Sequence, residues 1–116
     1  MQLNTVQTTD RVIQIEIEGR LDAVGVETID AEFTSIVQTL DHHLIIDLAK
    51  TPYVSSIGVA MFVAAEHGLR KRGLKIVLAG ATPEVAKLLV SLKIDKLVPI
   101  CDTVEDAFQE LAESED

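Results

Sequence analysis

Residues 11–18 read Arg-Val-Ile-Gln-Ile-Glu-Ile-Glu, with Ile13, Ile15 and Ile17 on one side and Gln14, Glu16 and Glu18 on the other. That period of two predicts a strand with one wet face. Residues 2–8 form a weaker strand candidate, positioned to pair with 11–18 across a turn at Thr9-Asp10. After Gly19-Arg20-Leu21-Asp22 breaks the alternation, the spacing changes. Val26, Ile29, Phe33, Ile36, Val37 and Leu40 make one helical stripe, with Glu27, Asp30, Glu32 and Gln38 off it. This predicts an amphipathic helix over 25–40.

The rest of the chain continues the alternation of strand and helix. Asp41-His42-His43 closes the first helix, and 44–48 (Leu-Ile-Ile-Asp-Leu) reads as a buried strand. Lys50-Thr51-Pro52 is a turn, since proline drives the residue before it away from helix. A second helix is predicted over 57–72, with Arg70, Lys71 and Arg72 complementing its dipole and Gly73 suited to a left-handed cap. Leu74–Ala79 is a further strand. Thr82 as cap and Pro83 at the first helical position open a helix that runs to about Leu92. A short strand over Leu97–Ile100 and a last helix from Thr103 to Leu111 follow, leaving 113–116 as an acidic tail.

The predicted order β-β-α-β-α-β-α-β-α implies an α/β fold with a mixed, mostly parallel sheet of four to five strands. The wet face of 11–18 suggests about four helices packed mainly on one side. The length of 116 residues fits a single domain, with its core at about 3–111.

Composition narrows what such a domain does. A net charge of −9 argues against nucleic acid, which is held by a surplus of lysine and arginine. It fits a soluble protein that meets a basic partner surface, and equally acidity that simply maintains solubility. Cys101 is the only cysteine, so an internal disulfide is impossible, and it reads as an inert thiol of a reducing compartment. The first residues lack a secretory signal and the apolar runs are too short to span a bilayer, so the expected location is cytoplasmic, without membrane insertion.

Several chemistries lack their motifs. There is no Gly-x-Gly-x-x-Gly, no phosphate loop ending in Gly-Lys-Ser/Thr and no Gly-x-Ser-x-Gly. His42, His43 and His67 lack metal-ligand spacing with one another or with Cys101, so no metal site or cofactor is expected. His42 and His43 read instead as compensation for a helix C-terminus. Asp47, late in a central strand, resembles the phosphoacceptor of response-regulator receivers. The acidic pair such domains need after their first strand is missing, and Asp47 reads as an anchor for the next turn.

Ser55-Ser56 falls where the second helix should begin, where unpaired N–H groups allow a hydroxyl to cap the helix or carry a phosphate. Capping alone is the commoner role. The setting adds to it: Pro52 and Tyr53 shape the approach, and Gly58 would let another chain come close to the backbone. Leu21-Asp22 supplies a second strand-end loop that could lie alongside.

Gly19-Arg20-Leu21-Asp22, Asp47-Leu48 and Tyr53-Val54-Ser55-Ser56-Ile57-Gly58-Val59, in this order of elements, resemble STAS domains and specifically anti-sigma factor antagonists. The Gly73–Leu78 strand and the Thr82-Pro83-Glu84-Val85 helix start are similar to that family too, so the resemblance covers residues 3 to 111. It implies a non-catalytic switch that binds an anti-sigma factor with serine kinase activity and is inactivated by phosphorylation, with a serine phosphatase to reset it. The acceptor carries over to Ser56, with Ser55 as second choice because many phosphorylated members carry aspartate where this chain has Ser55. The partner-binding residues it implies are Asp22, Ser55, Ser56, Ile57 and Gly58. The alternative within the same resemblance is a STAS subunit of an ABC transporter of the lipid-transport type, docking on its ATPase without a phosphate cycle. A receiver domain phosphorylated at Asp47 ranks third.

Overall fold

The computed structural model describes residues 1–113. In chain order the elements are β1 (Gln2–Thr8), β2 (Val12–Glu18), α1 (Ala23–Thr39), β3 (His43–Asp47), α2 (Ser56–Lys71), β4 (Ile76–Ala79), α3 (Pro83–Ser91), β5 (Ile100–Cys101) and α4 (Val104–Glu113). A single turn of 3-10 helix, Ile94–Lys96, precedes β5. The expected tail begins inside α4 at Glu113, and 114–116 lie outside the described residues.

The sheet order is β1-β2-β3-β4-β5, with β1 antiparallel to β2 and every later pair parallel. This sequential order explains the layering. Parallel crossovers are right-handed as a rule, so connections that all step in one direction place their helices on one face. Thus α1, α2 and α3 share a face, burying Ile29, Phe33, Phe62, Leu69, Val85 and Leu89 against Ile15, Ile17, Leu44, Ile46, Ile76 and Leu78. Phe33 of α1 meets Phe62 of α2 edge-on, with ring centroids 6.5 Å apart. Since α4 follows the edge strand, no further crossover confines it, and it returns over the opposite face. There Ala107 and Leu111 pack on Val12, Ile45, Val77 and Ala79.

That second layer corrects the wet face expected of 11–18. Gln14 is only 5% exposed, and its amide donates to Asp47 Oδ2 at 3.1 Å. Glu16 and Glu18 remain partly exposed as expected. Asp47 anchors its turn: Oδ1 accepts from the Ala49 N–H at 3.0 Å, so both carboxylate oxygens have a donor inside the protein. No group of three or more His, Cys, Asp or Glu capable of holding a metal occurs among the described residues.

Three further expectations shift. The strand placed at 97–100 begins only at Ile100, because Ile94 and Val98 fold inward as a tight turn anchored in the core. His43 lies in β3, buried, with Nδ1 accepting from the Lys75 N–H at 3.0 Å, so it joins two strands and does not cap a helix. The C-terminus of α1 is held from another helix: Arg72, at the end of α2, donates through Nη2 to Val37 O at 2.8 Å and to Leu40 O. A cation here complements the α1 dipole, whose own last turn carries none.

Arg72→Ala should therefore lower stability by about 1–2 kcal/mol, the range for a charge-assisted bond to otherwise unpaired carbonyls. Arg70→Ala, which removes surface contacts with Glu66 and His67 on its own helix, should stay within about 0.5 kcal/mol. Chemical denaturation of both variants checks this; equal losses would remove the assignment.

Candidate functional site

Two helix starts lie side by side at the C-terminal end of the parallel sheet, and they share one plan. At α1, Asp22 is the cap, Ala23 and Val24 follow, and Gly25 donates its N–H to Asp22 Oδ1 at 2.9 Å. At α2, Ser55 is the cap, Ser56 and Ile57 follow, and Gly58 donates to Ser55 Oγ at 3.3 Å. Each cap is in extended conformation and satisfies an N–H that the helix leaves unpaired.

The two loops are zipped together by backbone bonds. Leu21 pairs with Val54 in a parallel bridge, its N–H donating to Tyr53 O at 2.8 Å and its carbonyl accepting from the Ser55 N–H at 2.9 Å. Deeper in, the Gly19 N–H reaches Lys50 O at 3.0 Å and the buried Thr51 hydroxyl donates to Ile17 O at 2.7 Å. The glycines make this approach possible. A Cβ on Gly58 would stand 2.9 Å from the Leu21 side chain, and one on Gly25 only 2.1 Å from Arg20 O. The close approach expected of Gly58 is therefore real, but this chain's own Leu21 fills it, and Gly58 is buried.

This geometry separates the serines. The Ser55 hydroxyl is half-buried and engaged both ways, accepting from Gly58 and donating to Leu21 O at 2.9 Å. Ser56, at the first helical position, is exposed, and its hydroxyl has no hydrogen-bond partner among the described residues. Asp22, expected as a partner contact, is also a structural cap, though its carboxylate remains accessible at 40% exposure.

The outer surface of these two helix starts is apolar and open. Val24, Ile57 and Tyr53 are 73%, 51% and 38% exposed, three of the large hydrophobic side chains the fold leaves outside. The Arg20 guanidinium lies 4.5 Å from the centre of the Tyr53 ring and 3.7 Å from Asp22 Oδ2. Of these, sequence reasoning identified Ile57 and Asp22 and missed Val24 and Arg20. The available signal was the repeated cap-x-aliphatic-Gly in Asp22-Ala23-Val24-Gly25 and Ser55-Ser56-Ile57-Gly58. Reading it would have started α1 at residue 23 and set Val24 in the same position as Ile57.

Cys101 lies away from this edge. Burial raises its thiol above the ordinary cysteine range, and the nearby carboxylates of Glu110, Asp106 and Asp102 push the same way, with Glu110 Oε1 at 3.9 Å from Sγ. A thiol kept protonated is a poor nucleophile, as its sequence context suggests.

An open five-stranded sheet with helices on both faces, paired helix starts at one end and an exposed apolar rim defines a small α/β domain. The chain belongs to the STAS domain family, whose model matches residues 4–107. Among solved structures it is similar to an anti-sigma-factor antagonist (STAS) domain protein from Planctomyces limnophilus, at 19% identity over 93% of this chain and 95% of that one, TM-score 0.80. It is similar also to the Bacillus cell fate determinant SpoIIAA in its phosphorylated form, at 18% identity over 95% and 99%, TM-score 0.69. The STAS domain of a SulP transporter from Vibrio cholerae matches at 24% identity over 94% and 89%, TM-score 0.66. At these identities the likeness establishes the fold.

Ser55→Ala, which removes a cap and a loop-to-loop bond, should cost about 1–2 kcal/mol. Ser56→Ala should remain within about 0.5 kcal/mol of the parent. Urea midpoints of the two variants decide the matter; the reverse order would contradict the division of roles.

Proposed function

We propose that this chain is an anti-sigma factor antagonist, a non-catalytic binding switch whose partner is an anti-sigma factor with serine kinase activity. Unmodified, it docks through Val24, Ile57 and Tyr53 with Asp22 at the rim, and frees the sigma factor. Phosphorylated at Ser56, it releases the partner until a serine phosphatase restores it. Gly58 and Ser55 act by shaping this face from beneath. A cycle that consumes ATP places the protein in the cytoplasm.

The observation that carries the reading is the unengaged Ser56 hydroxyl at the first turn of α2, amid exposed apolar side chains. Phosphate there breaks no internal bond. It adds about −1.5 to −2 charges beside helix N–H groups, which stabilise an anion. The fold is therefore retained, in keeping with a fold shared by the phosphorylated SpoIIAA. Phosphate on Ser55 would instead sever the bond to Leu21 O and the cap to Gly58. Against a partner surface fitted to a hydroxyl and three apolar side chains, the new charge is bulky and unpaired. A loss of about 3 kcal/mol weakens binding more than a hundredfold.

Gene neighbours identify a candidate kinase, which is then incubated with the protein and ATP and the products mapped by mass spectrometry. Phosphate is expected on Ser56 alone, abolished in Ser56→Ala, with affinity for the kinase down at least a hundredfold. Asp22→Ala should weaken binding roughly tenfold while costing stability only the ~1 kcal/mol of a lost cap. Undiminished modification of Ser56→Ala would overturn the acceptor. An unmodified protein that binds a transporter ATPase through this face would replace the switch with the transport reading.

A further inference from the structure

Arg20 has two partners, and both belong to the proposed docking face. Its guanidinium lies over the Tyr53 ring and beside Asp22, yet the side chain is 61% exposed and the ion-pair contact, at 3.7 Å, is long. Such a pair is weak and readily exchanged. The bridge between Leu21 and Val54 fixes the backbone of Arg20 against that of Tyr53, and Leu21 O is bonded to Ser55, the residue before Ser56. Arg20 thus stands on one strand of a two-strand corner and Ser56 starts the helix that leaves the other.

We infer that Arg20 is a latch that reads the phosphorylation state of Ser56, a conclusion that rests on Ser56 being the acceptor. Without phosphate, Arg20 is shared between the Tyr53 face and Asp22. With a phosphate on Ser56, the group bearing the greater negative charge and the better geometry for a planar guanidinium takes Arg20 from Asp22. The contest has few other participants. The first turns of α1 and α2 contain no acidic residue; the neighbouring cations are Lys50, paired with Glu16 Oε1 at 3.4 Å, and the Met1 amino terminus, which lies against Gly19. Arg20, which already touches both Tyr53 and Asp22, is the cation placed to respond, and Asp22 the carboxylate placed to be displaced.

The consequence reaches beyond added charge. Moving Arg20 off Tyr53 and Asp22 changes three side chains of the docking face together, so phosphorylation removes the shape the partner recognises as well as obstructing it. The phosphate also gains a counter-ion inside the domain, which protects the modified state.

The chain supplies its own reporter, since Tyr53 is its only tyrosine and it contains no tryptophan. Phosphoserine placed at position 56 by genetic code expansion makes the test independent of any kinase. In a 31P NMR titration, the second ionisation of the phosphate should fall about half a unit lower in the parent than in Arg20→Gln, as expected for a nearby, partly exposed cation. Arg20→Lys, which keeps the charge without the planar stacking surface, should lie between them. Phosphoserine should alter Tyr53 emission in the parent and leave it unchanged in Arg20→Gln. Matching titrations and matching emission changes in parent and Arg20→Gln would overturn the latch. Thermal melts of each variant confirm that it is folded. Failure of a kinase to modify Ser56 would count against the switch reading and leave these measurements intact.

Discussion

Everything at the functional edge depends on Leu21. Its side chain is fully buried, its N–H and carbonyl both bond across to the loop before α2, and its carbonyl accepts from the Ser55 hydroxyl as well. One residue of the β2–α1 loop therefore sets the position at which α2 begins. Any partner that contacts Val24 and Ile57 together relies on this bond set to keep two separate helices at a fixed spacing. A helix start free to drift could not present a fixed face.

The same constraint decides the roles of the two serines. Only the residue bonded to Leu21 can be the cap, and a cap hydroxyl has already spent its donor and one acceptor site. The next residue is released by default, because the first helical position needs no side-chain bond. Structural duty and chemical availability thus fall on adjacent residues. In the proposed switch, charge is added or removed at one while the other holds the geometry.

The strand and helix periods were legible because burial imposes them: Ile13, Ile15 and Ile17 face the helices, and the stripe from Val26 to Val37 faces the sheet. Gln14 was misread because a polar side chain in an alternating strand looks solvent-facing until its partner is known. Here the partner is Asp47, thirty-three residues away, on the sheet face over which α4 packs. The 97–100 strand failed for a related reason. Apolar Leu97 and Val98 fit a strand by composition, but Ile94 and Val98 are both drawn into the core and fold the segment as a turn. At the site, Ser55, Ser56, Ile57 and Asp22 were readable from helix-start chemistry. Arg20 was not, since its importance lies in a contact with Tyr53 that only the bridge between Leu21 and Val54 creates.

The acidity of the chain takes on a more specific meaning in this light. A net charge of −9 favours a basic partner at long range, but the proposed docking edge is mostly apolar, with Arg20 beside Asp22. Long-range charge therefore accelerates encounter and falls away with salt, while short-range fit determines how long the complex lasts. In the proposed switch, phosphate at Ser56 would barely alter the first, adding about two negative charges to nine. It acts almost wholly on the second. A switch built this way can keep meeting its partner at an undiminished rate while losing the ability to hold it, and that loss belongs in the dissociation rate.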